Sequence, residues 1–282
     1  MLRPPKSQQV AVYGFAVLAV AIALAPFAWM VISSVASPAD LLKRPLHWIP
    51  DHASLSRYRA VASGSSDAAQ TFGAAFVNSL VVAAVSVVIS LAAGIFGAYA
   101  FARLRFRFRR SIMLLFLVTY MLPPISILIP LYLIEARLQL LDTRAGLVLV
   151  YVSFITPFVL WVMGNYFQSI PEDLEDAGRI DGLSRVGVLF RIVLPLSVPG
   201  LLSTALLGFL LAWDEFLYAL IFTDTDASKT IPVAIAEFTG RHAVDFGMIA
   251  TGGVLASIPP VIIALLFQRY IVGGLTAGAL KG

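Results

Sequence analysis

PEDLEDAGRIDGLSRVGVLFRIVLPL, Pro171 to Leu196, carries five acidic and three basic side chains and has long apolar runs on both sides of it. Those surroundings decide what the segment is. Of the 282 residues, 59% are hydrophobic and 13% charged, against roughly 25% charged in an ordinary soluble domain. A larger soluble core does not absorb that excess, because a soluble surface still needs polar cover. The apolar residues fall in runs long enough for a bilayer, which takes about 20 residues of helix. The expected fold class is therefore all-α: a polytopic membrane helical bundle of about six transmembrane helices, a single domain over residues 1–282.

The spans are predicted at Val10–Val35, Phe72–Phe101, Ile112–Glu135, Gly146–Phe167, Val198–Phe222 and Phe246–Val272. The first apolar run is too long for a signal peptide and reads as a retained span. Residues 36–71 form the longest polar connection. Placing both termini in the cytoplasm puts 12 of the 20 Lys and Arg on that side, including the dense RLRFRFRR run at Arg103–Arg110. Basic short loops mark the cytoplasmic face, so residues 169–196 form a cytoplasmic loop, residues 36–71 an outer loop and residues 273–282 a cytoplasmic tail. Prolines at Pro26, Pro123–Pro124, Pro130, Pro157 and Pro259–Pro260 remove helix donors and are expected to break four of the spans around a cavity.

Within the charged loop, Ser169 and Glu172 have the spacing of a capping box. Glu172, Asp173, Glu175 and Asp176 crowd the helix N-terminus, where the dipole favours negative charge. Asp181-Gly182 is a turn-forming pair, and Leu183, Val186, Phe190, Val193 and Leu194 follow on one helical face. A helix lying on headgroups usually carries Lys and Arg on its polar face. An acidic helix is better suited to a basic groove on a protein partner.

The segment resembles the cytoplasmic loop signature of permease subunits from binding-protein-dependent ATP-binding-cassette importers: Glu-Ala-Ala, three residues, Gly, nine residues, Ile, one residue, Leu-Pro. It falls on Asp176, Ala177, Gly178, Gly182, Ile192, Leu194 and Pro195, with Asp for the leading Glu and Gly for the second Ala. The resemblance is closest to the sugar-importing, maltose/trehalose-type branch. AYAFARLRF resembles its first cytoplasmic loop, NSL at Asn78 the start of its second span, IPLYLIEARLQLLDTRAGLVL its third-to-fourth connection, and QRYIVGGLTAGALKG its tail. The resemblance implies a type I importer-like permease in the plasma (inner) membrane. It would be half of a heterodimeric pathway for a sugar, with a second permease subunit, an ATP-binding subunit dimer and an extracytoplasmic sugar-binding protein as partners. Glu175, Asp176, Ala177, Gly178, Arg179, Asp181 and Gly182 would meet the ATPase, as would Gly278 and Lys281 of the tail. This chain would bind no cofactor and catalyse nothing. ATP and Mg would sit on the partner, and no Gly-x4-Gly-Lys-Ser/Thr phosphate loop occurs here.

Asp214 and Glu215 are the only carboxylates deep in a predicted span, and such a charge costs about 2.5–3.5 kcal/mol on insertion scales. Two readings stay open: a hydrogen bond to Asn78 or a partner permease, or a polar patch on the sugar pathway with Asn78, Trp213 and Tyr218. Permeases for an amino sugar or a glycerol-phosphate ester, or an ion-coupled secondary carrier using the two carboxylates, are the alternatives. The docking loop disfavours a stand-alone carrier. An intramembrane enzyme lacks a nucleophile–base pair or metal triad. The absence of cysteine excludes thiolate chemistry, His47, His52 and His242 lack metal-ligand spacing, and the net charge of +4 is explained by the membrane rule rather than by nucleic acid.

Overall fold

The computed structural model describes residues 6–43, 48–64, 67–238 and 245–279, and these form helices and connections with no strand among them. In chain order the helices are α1 (Lys6–Val35), α2 (Pro38–Leu41), α3 (Ser56–Ser63), α4 (Asp67–Arg103), α5 (Arg109–Met121), α6 (Pro124–Arg137), α7 (Arg144–Gln168) and α8 (Glu172–Ile180). They continue with α9 (Arg185–Val188), a π-helical turn (Leu189–Val193), α10 (Leu194–Leu196), α11 (Val198–Trp213), α12 (Leu217–Phe222), α13 (Ile231–Glu237) and α14 (Phe246–Ala279). Four helices are long and apolar enough to cross a membrane unbroken, within α1, α4, α7 and α14. Two bent pairs, α5 with α6 at 96° and Arg185–Leu196 with α11 at 79°, bring the number to six if each pair is one crossing.

Proline breaks fewer helices than the sequence suggests. Only Pro123–Pro124 interrupts one: Leu122 and Pro123 are extended, with ψ of 131° and 128°, because the residue before proline is pushed out of the helical region. Pro26, Pro157 and Pro259–Pro260 lie inside continuous helices, which lipid-embedded helices tolerate when surrounding groups satisfy the freed carbonyl. The fifth predicted span is divided instead at Asp214–Phe216, between α11 and α12. At the other end, α14 runs on through most of the segment expected as tail.

The chain divides into two compact units, residues 1–73 with 234–258, and residues 74–233 with 259–282. In the first, the Arg57 side chain donates to the Ala36 carbonyl at 2.8 Å and pairs with Asp245 at 3.6 Å, while Ser34 and Tyr58 share a 2.7 Å hydrogen bond. Phe72 stacks on Phe238. Most of α1 keeps its apolar side chains exposed, from Val10 to Val31. That leaves them for lipid or another chain, since water would charge roughly 25 cal/mol for each Å² of apolar surface.

In the second unit α7 is the core helix. Tyr151, Ile155, Val159, Met163 and Phe167 are all within 1% of full burial. Small residues let its neighbours approach, as membrane helix packing favours: Gly94 and Gly97 of α4 sit against Val159 and Leu160, and Gly200 of α11 against the Tyr166 ring.

A second tie in this unit gathers three distant stretches. Asp142, in a left-handed turn at φ 56°, accepts from the backbone N–H of Asp224 and Thr225 and from the hydroxyls of Thr225 and Ser228. Asn78 is fully buried; its amide donates to the carbonyls of Asp226 and Lys229 at 3.0 and 2.8 Å and accepts from Arg144 at 2.7 Å. Partial burial raises the Asp142 pKa, but the four hydrogen bonds outweigh it and hold the carboxyl well below the usual carboxylate range. A depressed folded-state pKa gives stability that is fully present above about pH 4 and is lost as pH falls through the depressed value. We predict that Asp142→Ala lowers stability by on the order of 2 kcal/mol, read as a lower melting temperature in detergent. The deficit should be the same at pH 7 and pH 5.

Candidate functional site

The charged segment folds as a short helix clamped onto the second unit. α8 begins at Glu172 after Pro171, and no side chain caps it. The expected capping box does not form: Ser169 ends α7, with its hydroxyl donating back to the Tyr166 carbonyl at 2.7 Å. Proline at position 171 has extended backbone, ψ 132°, which separates the two helices and takes Ser169 out of reach. The first turn still carries Glu172, Asp173 and Glu175, where the helix dipole favours them.

Glu175 is the anchor. Its side chain and that of Arg103, at the end of α4, are 8% and 9% exposed. Arg103 Nε donates to Glu175 Oε1 at 2.5 Å, and Tyr99 donates its hydroxyl to Oε2 at 2.9 Å. A second guanidinium nitrogen of Arg103 donates to the carbonyls of Phe167 and Ile170 at 2.8 and 2.7 Å, closing the end of α7. Such a planar fork meets a carboxylate and two carbonyls at once, which a lysine does not. Asp176 is exposed and, among the described residues, pairs with Arg179 at 3.6 Å, one turn away. A small polar cleft of about 100 Å³ lies among Tyr99, Arg103, Glu175, Asp176, Arg179 and Arg185.

The two signature glycines have separate physical reasons. Gly182 sits at φ 89°, a region that favours glycine. Its N–H bonds to the Arg179 carbonyl and that of Leu183 to the Gly178 carbonyl, the Schellman pattern that ends a helix. Gly178 is buried, and a Cβ there would strike the Ile192 side chain. The predicted apolar face after Leu183 holds at Val193, which is buried, and is corrected elsewhere: Val186 and Phe190 are exposed, whereas Val188 and Leu189 are buried. The π-helical turn inserts one residue per turn and rotates the face.

Of the expected pathway residues, Glu215 and Tyr218 are in contact, at 2.8 Å between the Tyr218 N–H and the Glu215 carboxylate. Trp213 is buried, stacked on Phe209 and edge-on to Phe76. Tyr218 is buried and stacked on Phe154. Glu215 accepts the N–H of Tyr218 and of Ala219, at 2.8 and 3.1 Å, and the Tyr151 hydroxyl at 2.8 Å. It therefore caps α12 at the break. Asp214 is exposed beside it, and Asn78 is engaged as described above. Gly278 lies near the end of α14, while Lys281 falls outside the described residues.

Sequence reasoning missed an apolar cavity of about 600 Å³ under the bend between α5 and α6, lined by Phe116, Thr119, Tyr120, Ser153, Phe154 and Thr156 among others. Tyr120 also stacks on Phe158. The Pro123–Pro124 pair was its signal, since a 96° bend opens the space beside α7.

The profile of the family described as binding-protein-dependent transport system inner membrane component matches residues 87–276. The trehalose/maltose transport system permease protein MalG of Thermococcus litoralis is 40% identical over 268 residues, 95% of each chain. The trehalose transport system permease protein SugB of Mycobacterium tuberculosis is 37% identical over 267 residues, 94% of this chain and 95% of that one. A crystal structure of a bacterial ABC transporter that imports the acidic polysaccharide alginate contains a chain of the same fold, with TM-score 0.76, 24% identity and coverage of 96% and 99%.

We predict that Arg103→Ala and Glu175→Ala each cost about 3 kcal/mol, because either leaves a buried charge unpaired. The double substitution should cost clearly less than the sum, as expected of a directly coupled pair. Thermal unfolding of the three variants measures both.

Proposed function

The chain belongs to the binding-protein-dependent transport system inner membrane components, and from that premise we propose that it is one half of a heterodimeric sugar pathway driven by ATP hydrolysed on a separate subunit. The observation that carries this reading is α8: an acidic helix whose exposed carboxylates, Asp173 and Asp176, face away while Glu175 ties it to α4. A helix held this way transmits a push to the spans, and its exposed acids suit a basic cleft on an ATPase. The α8 end is then cytoplasmic, in line with the arginines of the 103–110 run. ATP and Mg belong to that partner, and a sugar-binding protein delivers the solute from the other side.

The sugars in the names of the two relatives, trehalose and maltose, support a di- or oligosaccharide as cargo. The cavity beneath the α5–α6 bend offers what such a solute needs: the aromatic rings of Tyr120 and Phe154 for its apolar faces and the hydroxyls of Thr119 and Ser153 for its polar edges. Asp214, exposed near the α11–α12 break, is a further candidate. A carrier that binds an ion at Glu215 is disfavoured, because that carboxylate already accepts three hydrogen bonds.

Purification of the transporter from native membranes in mild detergent tests the proposal. An ATP-binding subunit and a second permease should copurify, and proteoliposomes of the complex should take up trehalose or maltose with ATP. Asp176→Lys should reduce recovery of the ATP-binding subunit at least about tenfold, equivalent to about 1.4 kcal/mol. Tyr120→Ala should slow uptake without that loss. A chain that purifies alone, or transports without ATP, would overturn the reading.

A further inference from the structure

The connection between α4 and α5 and the first turn of α5 carry Arg105, Arg107, Arg109 and Arg110, with Phe106 and Phe108 interleaved and no acidic residue. Among the described residues none of these four arginines forms an ion pair or a side-chain hydrogen bond; Arg107 only lies over the Phe108 ring, 4.9 Å from its centre. Arg103, two residues earlier, is fully engaged by Glu175 and by two carbonyls. The free cations therefore stop where the α8 clamp stops, and the acids of α8 do not neutralise them. Arg109 is half-buried, and with Arg110 it stands at the mouth of a groove of about 300 Å³ whose other walls are Phe101, Met113, Leu114 and Gln168. Beyond the groove the surface is apolar, with Leu114 and Leu115 exposed.

Unpaired guanidinium groups above an exposed apolar wall match one ligand chemistry, a phosphodiester joined to acyl chains. We infer that this groove binds the headgroup of an anionic phospholipid from the leaflet at the α8 end. Arg109 and Arg110 engage the phosphate, Gln168 meets the glycerol, and Met113 and Leu114 meet the first methylenes of an acyl chain. Phe106 and Phe108, both exposed, add apolar surface beside the arginines. An acidic protein surface would use the arginines but not the apolar wall beneath them.

The inference does not depend on what the protein transports. Its test is native mass spectrometry of the delipidated, detergent-purified complex titrated with dioleoylphosphatidylglycerol or dioleoylphosphatidylcholine. Wild-type protein should retain the anionic lipid in preference to the zwitterionic one. R109Q/R110Q should weaken that retention about thirtyfold, taking roughly 1 kcal/mol for each basic residue near an anionic surface. R59Q, at an exposed arginine in α3, should leave it unchanged. R110Q alone, at an exposed position, should show about a fivefold loss and serves if the double variant does not fold. Equal retention of the two lipids, or retention unaffected by these substitutions, would overturn the inference. So would unchanged lipid binding with release of another subunit, which would assign the arginines to a protein contact.

Discussion

The buried pair between Arg103 and Glu175 sets the terms for the rest of the site. A guanidinium and a carboxylate removed from water cost several kcal/mol each unless every donor and acceptor finds a partner. Here Tyr99 and the carbonyls of Phe167 and Ile170 add hydrogen bonds and Glu172 adds an ion pair at 3.8 Å, so the ends of α4 and α7 and the first turns of α8 are held at one point. With the inner side of α8 fixed, Asp173 and Asp176 are free to face outwards. One carboxylate is thus spent on rigidity while its neighbours remain available for docking.

The second constraint is the need to satisfy backbone groups in lipid. Where a helix continues, it satisfies itself; where it stops, a side chain must intervene. Glu215 does so at the α11–α12 break by accepting two N–H groups and the Tyr151 hydroxyl. At the opposite end of that region Asp142 and Asn78 perform the same service for residues 224–229. These three polar side chains organise irregular backbone and leave the aromatic cavity under the α5–α6 bend free of such duty.

Much of this was legible in the sequence, and the limits have physical causes. Apolar runs gave the spans because helix length in lipid is fixed by bilayer thickness. The fixed spacing of Gly178, Gly182 and Ile192 survived as geometry, since one glycine receives the Ile192 side chain and the other takes a positive φ. The partner of Glu175 was not legible, because Arg103 lies 72 residues away. Nor was the α11–α12 break, as the Trp213–Tyr218 stretch contains neither glycine nor proline. Local rules erred where a neighbouring residue overrode them: Pro171 displaced the capping box from Ser169, and the π-helical turn moved the buried face from Val186 and Phe190 to Val188 and Leu189.

The central claim is that α8 and α4 move as one body. The native chain has no cysteine, so two introduced cysteines can carry spin labels without background. Ile180 of α8 and Ile89 of α4 are both exposed and suit this use. Pulsed electron–electron resonance on the assembled transporter should give the same Ile180–Ile89 label distance with and without ATP. A nucleotide-dependent change in that distance would contradict the account, because α8 would then slide on α4 instead of carrying it.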